Sequence, residues 1–274
     1  LSVPSGLDPH ALLELGIREM GDPEVSPGDL GLLLWADVRA GGASLDRIAF
    51  RLHGRIGRGF PDVEGMEVSW IVIGAAEAGA NSLLDQAIAR QIARIDPASG
   101  LFRHRDAGRR ARFPNFATQI YGVLALAVAA RQGRRGALDH AVRAADRLIE
   151  LQLPDGGWPW IFDTARGRVV EPYEIYSVHQ DAMAPMALLE LSEVSGDERF
   201  RDAAVRGLDW VFGENELGRS MLDRDAGILY RSIRRRRPFD RIALYANTAG
   251  ATAARRAPFA APARAIEVNP TDRP

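Results

Sequence analysis

The sequence predicts an all-α fold, an α/α toroid in which inner helices ring a central axis and outer helices wrap around them. Two observations predict it. Helices that are apolar almost all round alternate with amphipathic ones at a period of roughly 50–70 residues. The loops after outer helices carry Gly before a bulky apolar residue at Gly100-Leu101-Phe102, Gly156-Gly157-Trp158 and Gly227-Ile228-Leu229. A helix apolar on every side needs cover on both sides and belongs inside; one with a single apolar stripe needs cover on one face and belongs outside.

Taken in order, Asp8 before Pro9 and Ser26 before Pro27 place a capping side chain ahead of a proline suited to the first helical turn, which predicts helices over 8–20 and 27–39. Another follows from Ser44 to Arg55, separated by Gly41-Gly42. From Glu64 the alternation is regular: Met66 to Ala78 is apolar and Asn81 to Ile95 amphipathic, then Asn115 to Arg131 and Gly136 to Leu151, then His179 to Val194 and Asp197 to Phe212. In the 136–151 helix, Leu138, Ala141, Val142, Ala145, Leu148 and Ile149 fall at i, i+3, i+4 spacing, opposite Asp139, Arg143, Asp146 and Arg147. A final inner helix is expected over 239–253. That makes about five helical hairpins, one short of a six-hairpin ring. An α-solenoid of stacked hairpins gives a similar pattern; the long decorated loops all follow outer helices and so gather at one mouth, which favours the toroid. Residues 1–256 read as a single toroid domain and 257–274 as a Pro/Ala-rich C-terminal tail.

Composition removes several chemistries. Of the 274 residues, 35 are basic and 36 acidic, so no basic footprint for nucleic acid exists. There is no Lys and no Cys, which excludes Schiff bases, thiol nucleophiles, disulfides and Cys-ligated zinc. His10, His53, His104 and His140 are scattered, so no metal site and no cofactor is expected. No apolar run is long enough to span a membrane. The first residues lack the regions of a signal peptide, which favours a cytoplasmic location, while Leu at residue 1 leaves a removed leader open.

With its Gly-plus-aromatic loops and inner/outer alternation, the chain resembles the six-hairpin glycosidase-like superfamily of α/α toroids over residues 8–253. The string Gln152-Leu153-Pro154-Asp155-Gly156-Gly157-Trp158 is also similar to the repeat of terpenoid cyclases, although no Asp-rich cyclase motif is present. The first resemblance implies an enzyme acting on an oligo- or polysaccharide, glycoside hydrolase-like. The alternatives are a terpenoid-cyclase-like toroid, a polysaccharide lyase or uronyl epimerase, and a noncatalytic glycan-binding toroid.

In such a ring the residues entering inner helices line one mouth, where helix dipoles favour anionic or hydroxyl-rich ligands. Asp181 is the leading proton donor, because burial at the entry of an apolar helix raises a carboxyl's proton affinity. Glu174 or Glu67 is the second carboxylate that glycoside hydrolysis requires. Trp160, Tyr173 and Tyr176 offer flat faces for sugar rings, and His179, Gln180 and Gln119 are polar groups expected to line the cavity. Arg231, followed by Arg234 to Arg237, is a basic run that binds an anionic sugar if it faces the mouth and is a solvated surface otherwise. Trp158 repeats the position of Phe102 and Leu229 and is read as loop packing.

Overall fold

A computed structural model describes residues 8–57, 60, 62–236, 239–253 and 265–269. Its outer helices are α1 (Pro9–Glu19), α3 (Leu45–Ile56), α5 (Asn81–Ala93), α8 (Gly136–Glu150) and α10 (Arg199–Phe212). The inner ones are α2 (Pro27–Arg39), α4 (Gly65–Glu77), α7 (Phe116–Arg131) and α9 (Ala184–Ser195). A single turn, α6 (Arg109–Arg112), precedes α7, and α11 (Phe239–Ala253) comes last. Inner helices neighbour one another in the order α2, α4, α7, α9, and each outer helix packs on its inner partner. The alternation of helix types therefore translates directly into an α/α toroid.

Local chemistry explains the helix starts. Asp8 accepts from the His10 N–H, and Ser26 and Asp29 form a reciprocal capping box around Pro27. Asn115 caps α7 by accepting from the Thr118 N–H at 3.0 Å. Every residue of α7 from Phe116 to Ala130 except Tyr121 is buried, whereas α8 buries one stripe, Ala137, Ala141, Ala144, Ala145 and Leu148. The main core lies between the two rings of helices. Where α2 crosses α4 the backbones touch: a Cβ on Gly74 would lie 2.3 Å from the Gly31 carbonyl oxygen. At the C-terminal ends of the inner helices an ion-pair chain runs from Arg39 to Glu77 (3.1 Å), to Arg131 (2.7 Å), to Glu190 (2.6 Å), linking all four.

The loops carry short strands that the helical periodicity does not announce. β1 (Ile161–Asp163) and β2 (Arg168–Glu171) form an antiparallel hairpin. β3 (Ile175–Tyr176), β6 (Ser232–Arg235) and β7 (Ile266–Asn269) form an antiparallel sheet in the order β3-β6-β7, with Ile175 opposite Ile233 and Ile233 opposite Val268. β4 (Leu222–Asp223) pairs with β5 (Ile228–Leu229). Ile175, Ile233 and Ile266 close a second small core on Trp210, Val211 and Met221.

Four expectations change. Part of the expected C-terminal tail is β7, fixed by ladder bonds to β6; residues 254–264 and 270–274 lie outside the described residues. The Arg run is not a uniform solvated face: in β6 alternate side chains turn inward, so Arg235 is 2% exposed and paired with Glu171, while Arg234 reaches Glu267. Arg237 lies outside the described residues. The helix over 239–253 forms where expected, yet α11 packs chiefly on β2 and β6 rather than extending the ring from α9. The third Gly loop does not repeat the other two: Phe102 and Trp158 are fully buried, whereas Ile228 and Leu229 are 43% and 42% exposed on a hairpin.

Candidate active site

The site is assembled by two glutamines and one proline. Gln119 accepts from the Phe102 N–H at 2.8 Å and donates to the Phe102 carbonyl at 2.7 Å. Gln180 accepts from the Trp158 N–H and donates to the Tyr176 carbonyl, both at 3.2 Å. Each amide thus ties a Gly-aromatic loop to the helix that follows it. Pro185 has no N–H and its ring crowds the carbonyl of Asp181 four residues back. The turn ahead of α9, His179–Met183, is accordingly π-helical and ends with the Ala184 N–H bonded to the His179 carbonyl. That turn carries His179, Gln180 and Asp181.

Around it stands an aromatic group. His179 stacks on Trp160 at 5.6 Å with an interplanar angle of 17°, and lies 5.1 Å from Tyr176 and 4.9 Å from Phe116. Trp160 and Tyr176 are 5.0 Å apart, and Phe116 stacks on Trp158 at 5.3 Å. Trp160 and Tyr176 are half-buried and present part of their surface. His179 is buried and its Nδ1 has no partner. Burial drives its pKa down to about 3, so the imidazole is neutral at ordinary pH.

Asp181 is half-buried, and burial raises its carboxyl above the ordinary range. Glu174 accepts from the Ser232 hydroxyl at 2.7 Å and from the Asn269 amide at 3.5 Å. The Tyr176 phenol is raised, first by burial and then by the Glu174 charge, which ties Glu174 to the aromatic group. The Arg231 guanidinium lies 5.4 Å over the Tyr176 ring. Trp160, Tyr176, His179, Glu174 and Arg231 are thereby one connected patch, with Asp181 two residues beyond His179 on the same turn.

Other candidates fall elsewhere. Both Glu67 oxygens accept backbone N–H groups, from Gly28 at 3.2 Å and Glu64 at 3.3 Å, so this carboxylate staples the starts of α2 and α4. Gln119 and Gln180 are buried anchors with their amides engaged as above. Tyr173 turns away from the patch: its hydroxyl donates to Glu216 at 2.8 Å, and Arg235 lies 4.9 Å over its ring. Behind the patch, Asp163 is fully buried and gripped by Arg112 through two 2.7 Å bonds, with Arg166 at 3.2 Å. Burial alone raises the Asp163 carboxyl, and these guanidiniums more than offset it. Among the described residues no group of three or more His, Asp or Glu side chains is placed to hold a metal ion, and no helix is long and apolar enough to cross a membrane. Sequence reading missed Asp155 and Glu216, two carboxyls brought together from different loops.

Fold and loops together define an α/α toroid. No family model and no curated protein matches the chain, but solved structures do. An α-mannanase of glycoside hydrolase family 76 from Bacteroides thetaiotaomicron superposes with a TM-score of 0.60 at 14% identity, covering 82% of this chain and 74% of that one. A D-mannose isomerase gives 0.60 at 12% identity, covering 90% and 81%. An inactive variant of an α-1,6-mannanase from Salegentibacter sp., with two consecutive aspartates replaced by asparagine and α-1,6-mannotriose bound, gives 0.58 at 13%, covering 77% and 72%. At these identities the likeness is one of fold.

Proposed function

We propose that this chain is a carbohydrate-active enzyme of the glycoside hydrolase-like kind, acting on an oligo- or polysaccharide held at the mouth. The observation that carries it is the stack of Trp160, Tyr176 and His179, with Asp181, a carboxyl whose proton affinity burial raises, two residues beyond His179 on the same turn. Flat aromatic faces bind the apolar faces of sugar rings, and a raised carboxyl is the donor that a glycosidic oxygen needs as its bond breaks. Glu174 is the second carboxylate, its Oε2 accepting from the Ser232 hydroxyl and the Asn269 amide. Retention follows if the two carboxyls stand about 5–5.5 Å apart across the bound sugar, inversion if about 6.5–9.5 Å. The chemistry of the fold neighbours, mannanases and a mannose isomerase, supports a saccharide as ligand. The test is Asp181→Asn assayed on a panel of mannooligosaccharides that includes α-1,6-mannotriose. Turnover is expected to vanish with the melting temperature nearly unchanged; undiminished turnover sinks the assignment, and a collapse in stability makes Asp181 a structural cap.

A second reading is a sugar isomerase or epimerase. Two observations favour it: the chain has no two consecutive aspartates of the sort replaced in the inactive mannanase, and the buried Nδ1 of His179, beside Trp160 and Tyr176, has no hydrogen-bond partner. Incubation with D-mannose in heavy water separates the readings. Deuterium entering at C2, and lost in His179→Asn, supports isomerisation; release of free mannose from an oligosaccharide without exchange supports hydrolysis.

A further inference from the structure

Asp155 sits in the turn after α8 and Glu216 in the turn after α10, 61 positions later, yet their carboxyls lie within hydrogen-bonding reach of each other. One oxygen of each is accounted for: Asp155 Oδ1 accepts from the Gly157 N–H at 3.0 Å, and Glu216 Oε1 accepts from the Tyr173 hydroxyl at 2.8 Å. The remaining oxygens, Asp155 Oδ2 and Glu216 Oε2, are buried and have no donor. Two facing acceptors without a donor repel, and a single proton between them turns one into a donor and satisfies both. The fully buried Trp210 has an unpartnered Nε1 at the same turn: a Cβ on Gly157 would meet that nitrogen at 3.1 Å and Asp155 Oδ1 at 3.2 Å. Glycine there admits the indole beside Asp155.

We infer that Asp155 and Glu216 share one proton and act as a positioning pair, holding the Tyr173 ring against Arg235 and thereby fixing the 171–176 segment from which Glu174 and Tyr176 reach the mouth. The chain of contacts is continuous: Glu216 to the Tyr173 hydroxyl, the Tyr173 ring under Arg235, Arg235 to Glu171, and Glu171 back to the Tyr173 N–H at 3.1 Å. Burial and the Asp155 charge both raise the proton affinity of Glu216, in keeping with a retained proton. The inference rests on the saccharide reading only for what the segment then does.

The test uses the full chain without ligand. Infrared spectroscopy at neutral pH is expected to show a protonated carboxyl band that disappears in both Asp155→Asn and Glu216→Gln and persists in Asp181→Asn. A parent lacking the band, or a band surviving in both variants, overturns the shared proton. Hydrogen exchange over 168–178 is expected to quicken about tenfold in Glu216→Ala and to return toward the parent in Glu216→Gln, whose amide oxygen still accepts from Tyr173. Equal exchange in parent and alanine variant overturns the positioning role. Affinity for α-1,6-mannotriose, measured on the same proteins, should fall about tenfold in Glu216→Ala. If the parent binds no saccharide while the band and the exchange behave as stated, the pair stands and the proposed function fails.

Discussion

His179 carries the sharpest pH signature at the scale of single residues. Its folded-state pKa is lowered to about 3 by burial, well below the 6.5 of an exposed imidazole. Between those values the unfolded chain binds a proton that the folded chain does not, so stability falls as pH drops from about 6.5 toward 3. The slope is about 1.4 kcal/mol per pH unit. Denaturation of parent and His179→Phe at pH 7.5 and 4.5 checks it: the variant should lose less on acidification, and parallel losses contradict the lowered value. The Glu171–Arg235 pair gives a second prediction. Their side chains are 1% and 2% exposed, so Glu171→Leu, which takes this carboxylate away from the buried Arg235 guanidinium, should cost about 3–5 kcal/mol. Chemical denaturation measures it, and a loss below about 1 kcal/mol rejects the pair as a buried anchor. The sequence pointed to Asp181, His179, Tyr176 and Trp160 because they lie in one unrepeated stretch at an inner-helix entry. Asp155 and Glu216 were invisible to that logic: their partnership exists only once two successive loops meet at the mouth.

Elements were legible in proportion to their length. α7 and α8 span four turns each, enough for an all-apolar and a one-stripe pattern to be told apart, and their observed ends fall within a residue of the expected ones. The strands run two to four residues, too short for a period of two to register, and β6 hides within an Arg run. The third loop was misaligned for a related reason. Asp223 to Gly227 matches Asp163 to Gly167 in spacing and, like it, turns a hairpin; the hairpin glycine, rather than the one before Trp158, is the true counterpart of Gly227. The recurring tie from a glutamine to a Gly-aromatic loop was the missed signal, present at Gln119 and Gln180 and joined to no such loop in the third unit. At the α2–α4 crossing, Gly74→Ala should cost about 3 kcal/mol, since its Cβ would strike the Gly31 backbone oxygen, which no rotamer change can move. Gly54→Ala, in a helix with open space around that position, should instead be neutral or gain up to about 1 kcal/mol. Equal effects at the two sites contradict backbone contact at the crossing.

For the whole molecule, the question is what keeps four inner helices in register when their facing sides converge on one axis. Their N-terminal ends are tied in two ways: the Glu67 staple joins α2 to α4, and the bond from the Trp158 N–H to Gln180 ties the loop after α8 to the turn before α9. Their C-terminal ends are joined by the chain Arg39, Glu77, Arg131, Glu190. The alternation of sign means that no link faces a like charge as its immediate neighbour, and Glu77 and Arg131 each take part in two links. Its side chain is 10% exposed and that of Glu190 18%, whereas Arg131 and Arg39 are 42% and 65% exposed. Solvent therefore screens each link from its arginine side, and an exposed pair contributes about 0.2–1 kcal/mol. Burial raises and Arg131's partners lower the cost of keeping that guanidinium in place, and the two glutamates win, raising its pKa. Glu77→Gln removes both of its links at once and should cost about 1–2 kcal/mol at low ionic strength. Raising salt toward about 1 M, where the Debye length falls to about 3 Å, should bring parent and variant together. Glu190→Gln, which removes one link, should cost about half as much over the same range. A Glu77→Gln penalty that survives high salt would mean that the carboxylate holds the ring by packing and hydrogen bonding rather than by charge, and the lower end of the toroid would then owe its register to the apolar contacts of α4 with α2 and α7.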